Sequence, residues 1–443
     1  MRQRLVPWFA TGLVALAVTG DVHAAGERPA SMPAIDAPQL AALGPMPVGW
    51  RTLHLVQHDQ VDLLGFDAAS GTAPRGDRVL DVDLWYPAAP TRGAAAVRYE
   101  GELDAMPGQP KSRFTLPGLA VRDAPPAGQG HPLVIVSHGY GNVTVVLAWL
   151  AENLASKGYV VAAIRHLDPP ITDRSKFPVT LLRRPLDIAF VARELRERLG
   201  GSGEIDAQRV ALVGYSMGGY GVLTAAGALP DPAGLAAKYV PAGLYAPYVR
   251  GGANMADAIV PGVRAVVAIA PAGGGALANW GADGLAAIHA PIFFIAGDHD
   301  LTVDYASGAR TFVEQATGSD RWLLTFLQGG HALGFGPAPE SMSHSIWDYE
   351  WFEDAVWRKE RLVGVELHFI TAFLDRYLKD DASRAAYLEV PVEDSGQGTW
   401  PAPGPAIYGD YSPGTGGVTV WKGFPNRRAA GLTLLKRTAT SHD

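Results

Sequence analysis

The sequence of 443 residues contains no cysteine. Its absence excludes disulfide bonds, thiolate metal sites, a cysteine nucleophile and a lipid-modified N-terminal cysteine. The chain also lacks long basic runs and has a formal net charge of −7, so we do not expect a nucleic-acid partner. After the N-terminal region, no apolar run is long enough to cross a bilayer. Hydrophobic residues make up 48% of the chain, which excludes a mostly disordered protein and is sufficient for a large core.

Residues 1–24 have the pattern of a secretory signal peptide. Two arginines precede a mostly apolar stretch, 5–20, and small residues follow at Ala24 and Ala25. The stretch is about 16 residues long, which is short of the ~20 that a membrane-spanning helix needs. We therefore expect cleavage near Ala24 or Ala25 and a periplasmic or secreted product.

The rest of the chain divides by composition and periodicity. Residues 25–46 are rich in Ala and Pro and predict a flexible lead-in, and residues 47–380 predict the main domain. Within 132–327, short unbroken apolar runs alternate with helically spaced segments. This alternation is typical of an α/β fold with a doubly wound, mostly parallel sheet and helices on both faces. The insertion 229–262 is a candidate lid, and 381–443 is a Gly/Pro-rich extension that we expect to pack on the domain.

Two stretches outside the alternating region also have strand patterns. In 80–86, apolar residues alternate with Asp81, Asp83 and Trp85, which predicts an antiparallel strand with one solvent-facing side near a sheet edge. In the extension, 417–422 and 430–436 are interpreted as a strand pair.

The strongest chemical signal is the sequence Gly-Tyr-Ser-Met-Gly at 214–218. It follows a predicted strand, 210–213, and precedes a predicted helix, 217–228. A sharp strand-to-helix turn lifts the serine hydroxyl clear of the sheet, and the flanking glycines avoid clashes in that turn. The helix N-terminus behind it favours developing negative charge. The pattern predicts that Ser216 is a nucleophile.

A serine nucleophile needs a base and an acid that orients the base, which follow in the chain order Ser, acid, His on this fold. His331 lies in a Gly-rich loop just after the last predicted buried strand, so it is the predicted base. The acid should end the preceding strand, which favours Asp300, with Asp298 as the alternative. Since adjacent residues in one turn rarely converge on one ion, the run Asp298-His299-Asp300 does not predict a metal site.

Backbone amides must hold the oxyanion of an acyl-transfer reaction. One predicted donor is Met217, which follows the nucleophile. The other is expected from the Gly-rich loop 137–142, where Tyr140 is preferred and Gly141 is the alternative. We expect His138 in the same loop to support it through hydrogen bonds rather than to take part in catalysis.

Six segments resemble the α/β-hydrolase superfamily: HGYGN, LASKGYVVAAIRHLD, RRPLDIAFVARELR, VGYSMGGYG, FFIAGDHD and GGHALG. More narrowly, they resemble secreted bacterial members of the dienelactone-hydrolase-like and platelet-activating-factor-acetylhydrolase-like kind, and bacterial polyester hydrolases share a similar core. The resemblance covers about 132–335 and not 229–262 or the tail. It implies an eight-stranded sheet and ester hydrolysis without a cofactor. Dienelactone hydrolases proper use a cysteine nucleophile, which this chain lacks.

These patterns together predict a secreted serine hydrolase for carboxylic esters with short to medium acyl chains. The same catalytic triad would also serve an amidase or peptidase, or a lipase or polyester hydrolase. Trp280 and Tyr245 are candidate substrate-binding residues, with plain core packing as the alternative. No cofactor and no metal are predicted, the partner is a small or polymeric ester, and the chain is expected to be a monomer or dimer.

Overall fold

The computed structural model describes residues 28–67, 69–171, 174–399, 417–425 and 428–440. The predicted signal peptide, 1–24, lies outside the described residues. No helix within them is long and apolar enough to span a membrane.

The described strands, in chain order, are β1 (Val48–Val61), β2 (Arg75–Pro87), β3 (Arg98–Leu103), β4 (Ser112–Pro117), β5 (Val121–Arg122), β6 (His131–Ser137), β7 (Val160–Ile164), β8 (Ile205–Tyr215), β9 (Val263–Ile269), β10 (Ile292–Gly297), β11 (Arg321–Phe326) and β12 (Leu432–Arg437). The described α-helices are α1 (Ala148–Ser156), α2 (Phe177–Gly201), α3 (Met217–Ala225), α4 (Ala242–Tyr245), α5 (Ala282–Ala286), α6 (Ala309–Gln315), α7 (Ile346–Phe352), α8 (Lys359–Leu378) and α9 (Ala385–Leu388).

One large sheet organises the fold, in the order β12-β11-β10-β9-β8-β6-β7-β2-β1-β5. Six neighbouring strands, β7, β6, β8, β9, β10 and β11, run parallel to one another, as the unbroken apolar runs predict. One hydrophobic cluster includes residues of α1 and α8 and the other includes residues of α2, α3 and α6, so both faces of the sheet are covered. The predicted α/β class is confirmed.

The sheet has ten strands rather than the eight implied by the resemblance. One extra strand, β12, comes from the C-terminal extension and pairs antiparallel with β11. The predicted pairing of 430–436 with 417–422 is wrong, because β12 instead closes the open edge of β11. The other edge ends in the two-residue strand β5 beside β1.

The solvent-facing side expected for 80–86 is wrong, whereas the expected antiparallel strand near the sheet edge is confirmed. β2 lies between β1 and β7, and Asp83 and Trp85 are both buried. Trp85 donates to the Tyr99 hydroxyl at 2.7 Å, and Asp83 is ion-paired with Arg165 at 2.7 Å. Strong polar partners thus allow an alternating sequence in the interior.

The lead-in predicted to be flexible is bonded to the domain over its described part. In α1, Asn153 donates to the carbonyls of Ser31 at 3.1 Å and Ala41 at 2.9 Å. Gly44 donates to the hydroxyl of Ser156 at 2.8 Å. Helix side chains therefore satisfy the polar backbone of a segment whose composition alone indicates a loose chain.

The insertion 229–262 packs partly against α2 and α3. Within it, Val240, Val249 and Val260 are buried, and Val260 donates its amide to the carbonyl of Ala225 at 2.7 Å. Tyr239 is 64% exposed, so this part of the insertion presents an aromatic side chain to solvent. A mobile lid in this insertion stays a prediction.

Candidate active site

Ser216 stands at the turn between β8 and α3 with φ +54° and ψ −116°. A positive φ is unfavourable for a residue with a side chain and costs about 1–3 kcal/mol when the surroundings enforce it. β9 holds the Ser216 backbone in this conformation, because the Ser216 amide donates to the carbonyl of Ile269 at 2.9 Å. The Ser216 carbonyl accepts from the amide of Ala272 at 3.0 Å. The predicted strand-to-helix turn is present.

The glycines around Ser216 are required by space. A Cβ at Gly214 would lie 2.2 Å from the carbonyl oxygen of Gly218. A Cβ at Gly218 would lie 1.9 Å from the carbonyl oxygen of Ser137. Both distances are too short for any side chain, so the turn packs directly on the end of β6.

The structure brings Ser216, His331 and Asp300 into one hydrogen-bonded line. His331 Nε2 lies 3.0 Å from Ser216 Oγ, and His331 Nδ1 lies 2.7 Å from Asp300 Oδ2. The Asp300 side chain is 1% exposed and that of His331 is 19% exposed. A buried carboxylate thus holds the imidazole, while the imidazole itself reaches solvent.

Asp300 is fixed by the backbone and Asp298 is used elsewhere. Asp300 Oδ1 accepts from the amides of Thr302 at 2.9 Å and Val303 at 3.1 Å, which leaves Oδ2 for His331. Asp298 Oδ1 accepts from the amide of Gln328 at 2.5 Å. The structure therefore places Asp300, and not the alternative Asp298, against the imidazole.

Two side chains that the sequence analysis does not predict, Tyr215 and Lys359, hydrogen-bond to the backbone of the loop that carries His331. The Tyr215 hydroxyl donates to the His331 carbonyl at 2.9 Å, and its ring centroid lies 5.3 Å from that of the imidazole. Lys359 on α8 donates to the carbonyl of Ala332. Burial lowers the pKa of Lys359 to about 8. Tyr215 is inside the motif, but no local pattern points to Lys359.

The loop after β6 lies against the start of α3. His138 Nδ1 is 2.7 Å from the Gly139 carbonyl, so the expected supporting role of His138 is confirmed. Burial and the charge of Arg184 lower the pKa of His138 to about 3, so this imidazole is neutral and its Nδ1–H donates. The ring of Tyr140 packs edge-on against Phe177 with centroids 5.0 Å apart.

The two aromatic residues predicted to bind substrate lie in the core. Trp280 stacks on Tyr220 with centroids 4.6 Å apart and donates to the Thr224 hydroxyl at 3.0 Å. Tyr245 donates to Asn279 Oδ1 at 3.2 Å. Both are buried, so their placement fits the packing alternative, and substrate contact by either residue stays a prediction.

Trp351 on α7 is another aromatic residue beside the Gly-rich loop 137–142. A Cβ at Gly141 would lie 2.4 Å from Ile171 Cγ2 and 4.0 Å from the Trp351 ring. A cavity of about 790 Å³ borders the loop at His138 and Asn142. Part of the remaining lining comes from β3, from 111–115 and from the residues that follow β7, and it carries charged side chains: Glu100, Glu102, Lys111, Arg113 and Arg165.

No metal ligand set is found within the described part of the chain. No group of three or more His, Asp or Glu side chains there is arranged to hold an ion. In the run 298–300, Asp298 faces the Gln328 amide and its neighbour His299, while Asp300 faces His331. The carboxylates therefore point to different partners.

Comparisons with known proteins find similarity to a hydrolase family, to cutinases and to an esterase structure. A family model described as PET hydrolase-like matches residues 124–238. Cutinase est2 of Thermobifida alba and a cutinase of Thermobifida fusca (strain YX) are each 35% identical over 101 residues, which is 22% of this chain and 31% of the relative. The chain thus spans less than a third of the length of these curated relatives. A structure of a ferulic acid esterase from Streptomyces cinnamoneus has a TM-score of 0.50 and 24% identity, over 78% of this chain and 94% of that one.

The sheet order, the strained serine turn and this structural likeness define the α/β-hydrolase fold. The chain therefore has the α/β-hydrolase fold, as the sequence resemblance implies. Its segment 124–238 is similar to PET hydrolase-like proteins. The narrower resemblance to platelet-activating-factor acetylhydrolases stays a prediction.

Proposed function

We propose that this protein is a serine esterase that cleaves carboxylic esters through an acyl-enzyme. The observation that carries the proposal is the line from Asp300 Oδ2 to His331 at 2.7 Å and from His331 to Ser216 Oγ at 3.0 Å. The serine stands at a strained turn with positive φ, where its hydroxyl projects from the sheet. The same set of groups performs acyl transfer on unrelated folds.

In the proposed reaction, Ser216 Oγ attacks the ester carbonyl while His331 Nε2 takes the hydroxyl proton. Asp300 holds the other ring nitrogen and stabilises the imidazolium without taking the proton. When the tetrahedral intermediate collapses, the C–O bond to the alcohol breaks and His331 gives its proton to the leaving oxygen. Water then attacks the acyl-enzyme with the same proton transfers and releases the acid.

The proposed oxyanion donors are the amides of Met217 and Tyr140. Met217 is the first residue of α3, so its amide lies at the positive end of the helix. The carbonyls of Ser137 and His138 approach Gly218 so closely that the backbone leading to Tyr140 must pass beside the serine turn. Loss of one such donor lowers kcat on the order of 10²–10³-fold.

A direct test is a p-nitrophenyl ester series from C2 to C16 on the purified chain. We expect turnover of short to medium acyl chains, with loss of turnover in Ser216→Ala. Ser202→Ala is a matched control, because Ser202 is an exposed residue at the far end of α2. Normal turnover by Ser216→Ala would sink the proposal.

Polyester hydrolysis is the second candidate. It is favoured by the PET hydrolase-like match over 124–238 and by the cutinase relatives. The test is release of soluble acid from a polyester film by wild type and by Ser216→Ala. Release of product only by wild type supports it, whereas activity on soluble esters without release from film restricts the enzyme to small esters.

We also propose that the chain is exported, with residues 1–24 removed near Ala24 or Ala25. The proposal is supported by the charge and apolar pattern of that segment. N-terminal sequencing of the protein from the periplasm or medium of an expressing bacterium tests it. An intact N-terminus on an exported chain would contradict it.

A further inference from the structure

A buried arginine, Arg184 on α2, contacts the backbone of the loop 137–142. This loop contains the proposed oxyanion donor Tyr140 and is called the oxyanion loop below. The Arg184 side chain is 0% exposed, and hydrogen bonds occupy all five of its N–H donors. Nε lies 3.0 Å from Asp168 Oδ1, and Nη2 bonds the other Asp168 oxygen and, at 3.1 Å, the Gly139 carbonyl. Nη1 bonds the Ser137 hydroxyl at 3.0 Å and the His138 carbonyl.

The two carbonyl contacts determine where the loop amides point. In a trans peptide the C=O and the following N–H point in opposite directions. Arg184 pulls the Gly139 carbonyl inward, and the His138 ring bonds the same oxygen at 2.7 Å. The next amide, that of Tyr140, must therefore point away from the guanidinium. The His138 carbonyl contact does the same for the amide of Gly139.

We propose that Arg184 is a positioning residue that sets the direction of the oxyanion donor by holding the carbonyls of His138 and Gly139. The inference rests on the proposed esterase function and adds a residue that does not touch substrate. A guanidinium suits the task because its planar fork reaches two carbonyls, a hydroxyl and a carboxylate at once. Lysine has three donors from one atom and cannot span this set.

A second buried hydrogen-bond network contacts Arg184 through the hydroxyl of Ser137. Because Arg184 donates to Ser137 Oγ, the Ser137 proton is directed to His166 Nε2, 2.9 Å away. His166 Nδ1–H then donates to Asp187 at 3.1 Å, and Arg78 pairs with that carboxylate at 2.8 Å. Each hydrogen bond in this network therefore has one possible donor, so the Ser137 hydroxyl that accepts from Arg184 has a fixed orientation.

The key experiment compares Arg184→Lys with wild type on a carboxylic ester and on the matching thionoester. Sulfur is a weak hydrogen-bond acceptor, so a thionoester gains little from the oxyanion donors. We expect kcat on the oxygen ester to fall on the order of 10²-fold, with KM changed less than ~3-fold and thionoester turnover lowered much less. Arg193→Lys is the matched control, since Arg193 is exposed on the same helix.

Two further variants cover the case in which Arg184→Lys does not fold. Asp168→Asn keeps the guanidinium but removes the charge that orients it, and we expect a fall of kcat on the order of tenfold, again selective for the oxygen ester. Arg184→Ala leaves a space for free guanidinium ion, which should restore turnover when ammonium does not.

Equal loss on both esters, or loss that follows the fall in Tm, would overturn the inference and leave Arg184 a support for folding only. Unchanged kcat in Arg184→Lys would also overturn it. These results are separate from failure of the esterase proposal, which would appear as inactive wild type or active Ser216→Ala.

Discussion

The residues that the structure describes include two Ser-His-Asp arrays with the same order of hydrogen bonds. In the first, Ser216 bonds His331 at 3.0 Å, and His331 bonds Asp300 at 2.7 Å. In the second, Ser137 bonds His166 at 2.9 Å, and His166 bonds Asp187 at 3.1 Å. Distances and residue types alone do not distinguish them.

Exposure, backbone strain and charge do distinguish them. The His166 side chain is 0% exposed whereas that of His331 is 19% exposed. Ser137 ends the regular strand β6, whereas Ser216 has a positive φ. Burial and Arg184 lower the pKa of His166 to about 3, so it is a poor proton acceptor near neutral pH. Only the first array has an accessible base, and a triad is therefore recognised by its surroundings as well as by its hydrogen bonds.

The largest expected effect is the loss of turnover in Ser216→Ala. Removing the nucleophile of a triad costs about 10⁶-fold in kcat. A fluorophosphonate probe, which reacts with activated serines, should label wild type at Ser216 and leave Ser137 unlabelled. Peptide mapping by mass spectrometry identifies the labelled residue. A label on Ser137 would remove the distinction between the two arrays.

Asp300→Asn should have the next largest effect. An amide in this place favours the wrong imidazole tautomer, and the corresponding change in a serine protease lowers kcat by about 10⁴-fold. Asp298→Asn is the matched control, because Asp298 meets the Gln328 amide instead of His331. Steady-state kinetics on one p-nitrophenyl ester compares the two. Equal losses would mean that contact with His331 does not give Asp300 a greater role than Asp298.

The sequence allows the first array to be predicted but not the second. Ser216, Asp300 and His331 follow from the local turn motif and from the fixed chain order of the fold. Arg184 meets Ser137 across 47 residues and Asp168 across 16, and no motif records such contacts. The prediction of a solvent-facing side around Asp83 is wrong for the same reason, since the partner of Asp83, Arg165, is 82 residues away.

Aromatic residue type alone does not predict which side chains face a cleft. Tyr245 lies in the insertion and Trp280 follows it in the chain, and the sequence is compatible with polar atoms that face a cleft or the interior. The structure pairs Trp280 with Thr224 and Tyr245 with Asn279, so both face inward. Side-chain direction in an irregular segment depends on which partner folds against it, and that information is spread over distant residues.

The buried array should make stability depend on pH. His166 has a pKa lowered to about 3 in the folded chain, mainly by burial, against about 6.5 for an unperturbed histidine. Between these values the unfolded chain binds the proton better, so stability is lost as the pH falls below ~6.5. The contribution of one such group is up to about 1.4 kcal/mol per pH unit.

Urea unfolding of wild type and His166→Gln between pH 6 and 4.5 measures this contribution as a difference, so that other buried groups such as Glu152 and Glu366 are common to both chains. We expect the gap in unfolding free energy between the two proteins to shrink by roughly 1 kcal/mol per pH unit as the pH falls. His58→Gln is the control, because that side chain is 77% exposed. A gap that does not change with pH would show that His166 is already charged in the folded chain.

The smallest expected effect on turnover is that of Ser137→Ala. The change leaves His166 Nε2 and one Arg184 donor without their partner, and an unsatisfied buried group costs about 1–3 kcal/mol of stability. Arg184 keeps its contacts with Gly139, His138 and Asp168, so turnover should fall by less than about tenfold. Thermal unfolding and ester kinetics on the same samples separate the two effects. A loss of turnover as large as that of Ser216→Ala would mean that the buried array takes part in the reaction, because a serine that only supports a loop leaves the nucleophile and its base in place.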